Sequence, residues 1–178
     1  MKGPPGSGKS TVAMALGARL AWPVIDKDDA RDFLADDQAG LSYRIMLAVA
    51  RTQLRQGLCV IADSPLGYGK FYRAAMEAAD ETGAAVAVVE CECSDRELWR
   101  SRIEGRASGN LAAHHTVTWK QVDDFLSRTA ADPPEIRVPL LAVDTAQRLD
   151  VCVDQALLWL SALDGADQSP SVTVSPTR

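Results

Sequence analysis

Gly3-Pro4-Pro5-Gly6-Ser7-Gly8-Lys9-Ser10-Thr11 decides the reading of this chain. The stretch satisfies G-x-x-x-x-G-K-[ST] at every fixed position. Glycines at these places let the backbone curl until several N–H groups point inward, forming an anion cradle at the start of a helix. Lys9 stands where a cation can reach the β- and γ-phosphates of a nucleotide, and the Ser10 hydroxyl can ligate Mg²⁺. The expected cradle therefore comprises Gly3, Pro4, Pro5, Gly6, Ser7, Gly8, Lys9, Ser10 and Thr11, and the expected ligand is ATP with Mg²⁺. A helix is expected over Lys9–Leu20, since Val12, Leu16 and Leu20 recur four apart on one face. One feature departs from the pattern. A phosphate loop is normally launched from a buried strand of about five apolar residues, yet only Met1 and Lys2 precede Gly3. Either the true start lies upstream, which is the expectation here, or the sheet is built without that strand and the loop loses its anchor.

Working outward, Trp22-Pro23-Val24-Ile25 reads as a strand that runs into the acids Asp26, Asp28 and Asp29. A helix is expected from a Ser42 cap to Gln56. The next strand is Leu58-Cys59-Val60-Ile61-Ala62, an unbroken apolar run that suggests cover on both faces, and it ends at Asp63. A helix over Phe71–Thr82, a strand over Ala84–Cys91 and a short helix from Ser94 or Asp95 to about Glu104 come next. Residues 105–118 lack a period and read as a lid. They are followed by a helix over Trp119–Arg128, a strand over Val138–Val143 and a helix over Leu149–Leu163. Strands alternating with helices imply an α/β, three-layer, P-loop NTPase-type fold with a parallel sheet whose first strand is missing from this chain. The folded domain is expected over 1–163, and the Ser-, Pro- and Thr-rich residues 164–178 as a disordered tail.

Composition sets limits on function. The chain has 178 residues, 47% of them hydrophobic, enough for a real core. A net charge of −5 argues against coating nucleic acid or anionic membrane by bulk charge. No apolar run reaches the roughly 20 residues of a membrane span, and the N-terminus lacks a signal-peptide pattern, so a cytoplasmic protein is expected. The four cysteines show no metal-ligand spacing and are read as reduced thiols.

Carboxylates at the carboxyl end of a parallel strand lie on the ligand side of the sheet. One of the Asp26, Asp28, Asp29 group could accept the proton of an attacking hydroxyl, with Arg31 orienting it or binding substrate. Asp63 follows its strand as a metal-directing acid would, holding Mg²⁺ through water or hydrogen-bonding Ser10. Arg96, Arg100, Arg102 and Arg106 crowd the helix before the lid. Arginines closing from a lid would neutralise charge on a transferring phosphoryl group, and Arg102 and Arg106 are the candidates. His114 and His115, within the lid, read as solvent-facing.

Taken in order, the phosphate loop, Val24-Ile25-Asp26-Lys27-Asp28-Asp29-Ala30-Arg31, Val60-Ile61-Ala62-Asp63-Ser64-Pro65 and the arginine-rich segment resemble the small P-loop kinases. The chain looks like the AAA-domain-type ATP-binding kinases related to polynucleotide kinase, zeta toxin and chloramphenicol phosphotransferase, over roughly residues 3–160. That resemblance implies Asp28 as general base, with Arg31 as its partner. It also implies Arg102 and Arg106 as phosphate-contacting lid residues, and Val143-Asp144-Thr145-Ala146 as a turn beside adenine. The implied activity is transfer of the γ-phosphate of ATP to a hydroxyl of a small molecule: a metabolite, a nucleoside or an antibiotic. A polynucleotide 5′-hydroxyl kinase and a non-catalytic ATP-binding module are the alternatives.

Overall fold

Backbone hydrogen bonding divides the sheet into two parallel pairs with a narrow slot between them. In the computed structural model, which describes residues 1–34, 38–107 and 117–167, β1 (Val24–Asp26) pairs with β2 (Ile61–Asp63), and β3 (Val88–Glu92) pairs with β4 (Leu140–Asp144). Residues 1–3 stand in the slot. Lys2 donates its N–H to the Val89 carbonyl (2.9 Å) and accepts from the Cys91 N–H (2.8 Å). On the other side, the Met1 amino group donates to the Ala62 carbonyl (2.7 Å) and the Gly3 N–H to the Pro65 carbonyl (3.1 Å). The order across the molecule is thus β1, β2, residues 1–3, β3, β4. Residues 1–3 tie the phosphate loop to both flanking strands.

The helices follow from burial patterns. α1 spans Lys9–Leu20, as the periodicity predicts, and sinks Val12, Ala13 and Leu16 into the main core. There they meet Ile61, Val89, Cys91 and Val143 from the strands, and Cys152, Val153 and Ala156 from α6 (Leu149–Asp167). Full burial of each such aliphatic side chain contributes roughly 1.5–3 kcal/mol. On the opposite face, α2 (Ala39–Arg55) buries Tyr43, Met46 and Leu47 against Ala78 of α3 (Gly69–Asp80). α4 (Arg96–Ala107) and α5 (Trp119–Ala131) flank residues 108–116. Thr118 caps α5 reciprocally with Gln121.

Several boundaries differ from expectation. Ser42 is not a cap: α2 starts at Ala39, and Ser42 is a buried residue inside it. β2 is three residues long because Leu58 and Cys59 are exposed, and its ladder to β1 begins only at Ile61. β3 begins at Val88 rather than Ala84, where β4 and residues 1–3 become available as partners. α4 runs on to Ala107, into the expected lid, and α6 runs to Asp167, past the expected start of the tail. Lid residues 108–116, with His114 and His115, and tail residues 168–178 lie outside the described residues. Among the described residues, no helix is long and apolar enough to cross a membrane.

Candidate phosphate-binding and transfer site

The loop curls through left-handed backbone at Gly6 (φ 77°) and Gly8 (φ 85°), with Ser7 between them fully buried. Its first internal bond is Ser7 N–H to the Pro4 carbonyl (3.2 Å), and α1 begins with Val12 N–H donating to Gly8 (3.1 Å). Gly8 supplies no side-chain cap, and no acid lies in the first turn of α1. The positive end of the helix and its unsatisfied N–H groups are therefore left for an external anion. Lys9 and Ser10 are half-buried, and among the described residues neither Lys9 Nζ nor Ser10 Oγ has a hydrogen-bond partner. Thr11 is exposed.

The parallel register sets Asp26 directly opposite Asp63 at the carboxyl ends of β1 and β2. Asp63 is 1% exposed, and neither of its carboxylate oxygens has a hydrogen-bond partner. An unpartnered buried carboxylate is costly, and such groups pair or hold a metal ion. Asp26 is pushed above the usual aspartate range, chiefly by burial, with the Asp28 N–H drawing it back and the Asp63 and Asp28 carboxylates adding to the rise. Its side chain accepts the Asp28 N–H (2.9 Å) and so caps the 3₁₀ segment Lys27–Phe33. Asp28 is half-buried in an ion pair with Lys27, whose Nζ lies 6.0 Å from the Tyr43 ring centroid. Asp29 is exposed, and Arg31 donates to the Leu34 carbonyl (3.3 Å).

Among the described residues, no cluster of three or more His, Cys, Asp or Glu is arranged to hold a metal. Mg²⁺ asks for less: one or two protein oxygens, with phosphate and water completing the shell. Asp63, with two orphaned oxygens, and the Ser10 hydroxyl fit that sparse requirement.

The arginine helix is bound to the loop rather than free beside it. Arg102 donates to the Thr145 hydroxyl (3.1 Å) and carbonyl (2.7 Å). The Thr145 hydroxyl in turn donates to the Ser7 carbonyl (2.6 Å). Asp144 accepts from the Ser94 hydroxyl and N–H and from the Ala146 N–H, which holds it below the usual carboxylate range. Arg106 is half-buried in the last turn of α4. Arg100 pairs with Glu104 (2.8 Å), and the Arg96 guanidinium stacks 5.1 Å from the Trp119 ring.

Sequence reasoning missed three residues here. Trp99 donates its indole N–H to the Pro5 carbonyl (2.9 Å) across 94 positions, which no local pattern could reveal. Ile103, fully buried, seats α4 against Gly6. Tyr43 stacks on Phe71 (centroids 3.7 Å, 4° between planes), and burial pushes its hydroxyl up to about 12. A cavity of about 440 Å³ lies behind the loop, touching Gly3, Pro4, Trp99 and Phe125, and another of about 580 Å³ lies beside β1 at Trp22 and Asp26. Neither is lined by Lys9 or Asp28.

Comparison with known proteins agrees with this architecture. A gluconokinase from Sinorhizobium meliloti 1021 superposes with a TM-score of 0.63 at 24% identity, covering 95% of each chain. The APS kinase of Mycobacterium tuberculosis, solved with AMPPNP and APS, gives 0.65 at 18% identity, covering 90% of this chain and 94% of that one. A sugar kinase from Janibacter sp. HTCC2649 gives 0.64 at 16% identity, covering 90% and 91%. No curated protein matches in sequence. A family model described as AAA domain matches residues 1–131. With the phosphate loop, the parallel sheet and the strand-end acids in place, the chain belongs to this AAA-domain family and has the fold of the small P-loop kinases.

Proposed function

We propose that the protein is an ATP-dependent phosphotransferase that moves the γ-phosphate of ATP to a hydroxyl of a small molecule. The observation that carries this reading is the convergence, at one sheet edge, of an uncapped phosphate loop with the strand-end carboxylates Asp26, Asp28 and Asp63. A loop that only bound nucleotide would not need a second acidic strand end beside it.

In this scheme the loop N–H groups hold the phosphate tail, and Lys9 neutralises charge on the β- and γ-phosphates. Ser10 and Asp63 would hold Mg²⁺, which supplies further charge neutralisation between those phosphates. Asp28, ion-paired with Lys27, accepts the proton of the acceptor hydroxyl as the hydroxyl oxygen bonds to the γ-phosphorus and the bond to the ADP oxygen breaks. Arg31 serves the acceptor side of the same segment. Arg106, in the last turn of α4, is the candidate to contact the phosphates, and Arg102 holds the Thr145 turn. The similar structures include a gluconokinase, a sugar kinase and APS kinase, which supports a small-molecule acceptor, as does the net charge of −5.

The test is a transfer screen with γ-labelled ATP and Mg²⁺ across sugars, sugar acids, nucleosides, oligonucleotides and antibiotics. Label on one small-molecule hydroxyl, lost in Lys9→Ala and Asp28→Asn, is the expected result. Label on oligonucleotide ends alone would replace the acceptor class, and folded, nucleotide-bound protein that labels nothing would overturn the transfer reading.

A further inference from the structure

A phosphate cradle works only if its N–H groups point inward, and the peptide unit offers a lever on that orientation. Each unit is planar and trans, with C=O and N–H on opposite sides, and among the described residues no cis bond occurs. Holding the carbonyl of one residue outward therefore holds the N–H of the next residue inward. Two carbonyls of the loop are held in this way from outside. The Pro5 carbonyl accepts the Trp99 indole N–H (2.9 Å), which turns the Gly6 N–H the other way. The Ser7 carbonyl accepts the Thr145 hydroxyl (2.6 Å), which does the same for the Gly8 N–H. Arg102 donates to that hydroxyl (3.1 Å), and the hydroxyl's single proton faces two carbonyls, that of Ser7 at 2.6 Å and that of Glu92 at 2.9 Å, of which Ser7 is the nearer. Gly6 and Gly8, both at positive φ, are the residues whose adjoining peptide planes would otherwise flip most freely.

We infer that Trp99 and Thr145 are positioning residues that preset the Gly6 and Gly8 N–H groups toward the phosphates before nucleotide arrives. Neither side chain touches the nucleotide in this scheme; each acts through a loop carbonyl. Trp99 also packs edge-on to Trp119 (centroids 5.2 Å), so α4 and α5 share the support of one contact. The inference rests on the phosphate-loop reading above and deepens it.

The experiment is calorimetric titration with MgADP of the wild type, Trp99→Phe, Thr145→Val and Thr145→Ser, each paired with its melting point without nucleotide. Trp99→Phe keeps an aromatic ring but loses the donor. Thr145→Val keeps the shape but loses the hydroxyl, and Thr145→Ser restores it. The donor-free variants should each bind MgADP about 2- to 10-fold more weakly, and Thr145→Ser should match the wild type. Variants that melt earlier yet bind MgADP as the wild type does would make these contacts structural only and overturn the inference. Should Trp99→Phe fail to fold, the valine and serine pair at 145 decides the question alone. A folded wild type that binds no MgADP would overturn the phosphate-loop reading itself, a result distinct from equal binding by all four proteins.

Discussion

Replacing Gly6 by alanine tests the loop geometry at one atom. A Cβ at Gly6 would lie 2.6 Å from Ile103 Cγ1, 3.0 Å from Ile103 Cδ1 and 3.1 Å from Trp99 Nε1, on a backbone held at φ 77°. The left-handed backbone alone costs an alanine about 1–2 kcal/mol, and overpacking against a fully buried Ile103 adds about 1–3 kcal/mol. Their sum, about 2–5 kcal/mol, is below the roughly 5–15 kcal/mol that holds a typical domain folded, so the variant should fold. Gly57 is the internal control. Its φ is 79°, but no atom lies within 4 Å of its hypothetical Cβ, so Gly57→Ala carries the backbone cost without the overlap. Urea titration of both variants should therefore differ by about 1–3 kcal/mol. Strain relieved by tilting the Pro5–Gly6 peptide must be restored when phosphate binds, which weakens MgADP about 5- to 150-fold in Gly6→Ala and leaves Gly57→Ala unchanged. Equal destabilisation and equal MgADP affinity in the two variants would refute the tight seat of α4 on the loop.

Three further outcomes are expected. Lys9→Ala should lose MgATP binding by at least about tenfold and lose transfer altogether, with an unchanged melting point, because Nζ has no partner among the described residues. Asp28→Asn should lower kcat by about 10²- to 10⁴-fold with ATP affinity intact; loss of ATP affinity with kcat retained would remove Asp28 as the base. Tyr43→Phe keeps the ring stacked on Phe71, removes a buried hydroxyl and should change stability by no more than about 1 kcal/mol at pH 7. The Tyr43 hydroxyl titrates at about 12 when folded against 10.0 unfolded, so its contribution is whole below pH 10 and is lost as pH rises toward 12. The wild type should therefore lose stability relative to Tyr43→Phe as pH rises through that window, and a constant difference would contradict the assigned burial.

Where the candidate site could be read from the sequence, the signal was local. The phosphate loop and α1 are written in consecutive residues, and Lys9–Leu20 matches its helical period residue for residue. The placement of Asp26 and Asp63 at strand ends was legible because each closes an apolar run. The opposition of Asp26 to Asp63 was not, since register between β1 and β2 is fixed by pairing across 37 positions rather than by either segment alone. Strand lengths were overestimated for a related reason. The run Leu58–Ala62 is apolar throughout, but a strand needs a neighbour, and the ladder with β1 begins only at Ile61. Ser42 carries a capping side chain, yet tertiary burial places it inside α2. Arg102 was expected at the phosphates; the bonds its guanidinium makes to Thr145, a partner 43 positions away, had no sign in the sequence. Trp99, on the arginine-rich helix, gives no sequence sign of its bond to Pro5.

The claim on which the rest depends is that the loop around Lys9 grips a nucleoside triphosphate by its phosphates. Calorimetric titration of the full chain with a non-hydrolysable ATP analogue, with and without Mg²⁺ and alongside Lys9→Ala, measures that grip directly. One-to-one binding that strengthens with Mg²⁺ and disappears in Lys9→Ala is the predicted result. Absence of binding by the folded wild type, or equal binding by Lys9→Ala, would contradict the account.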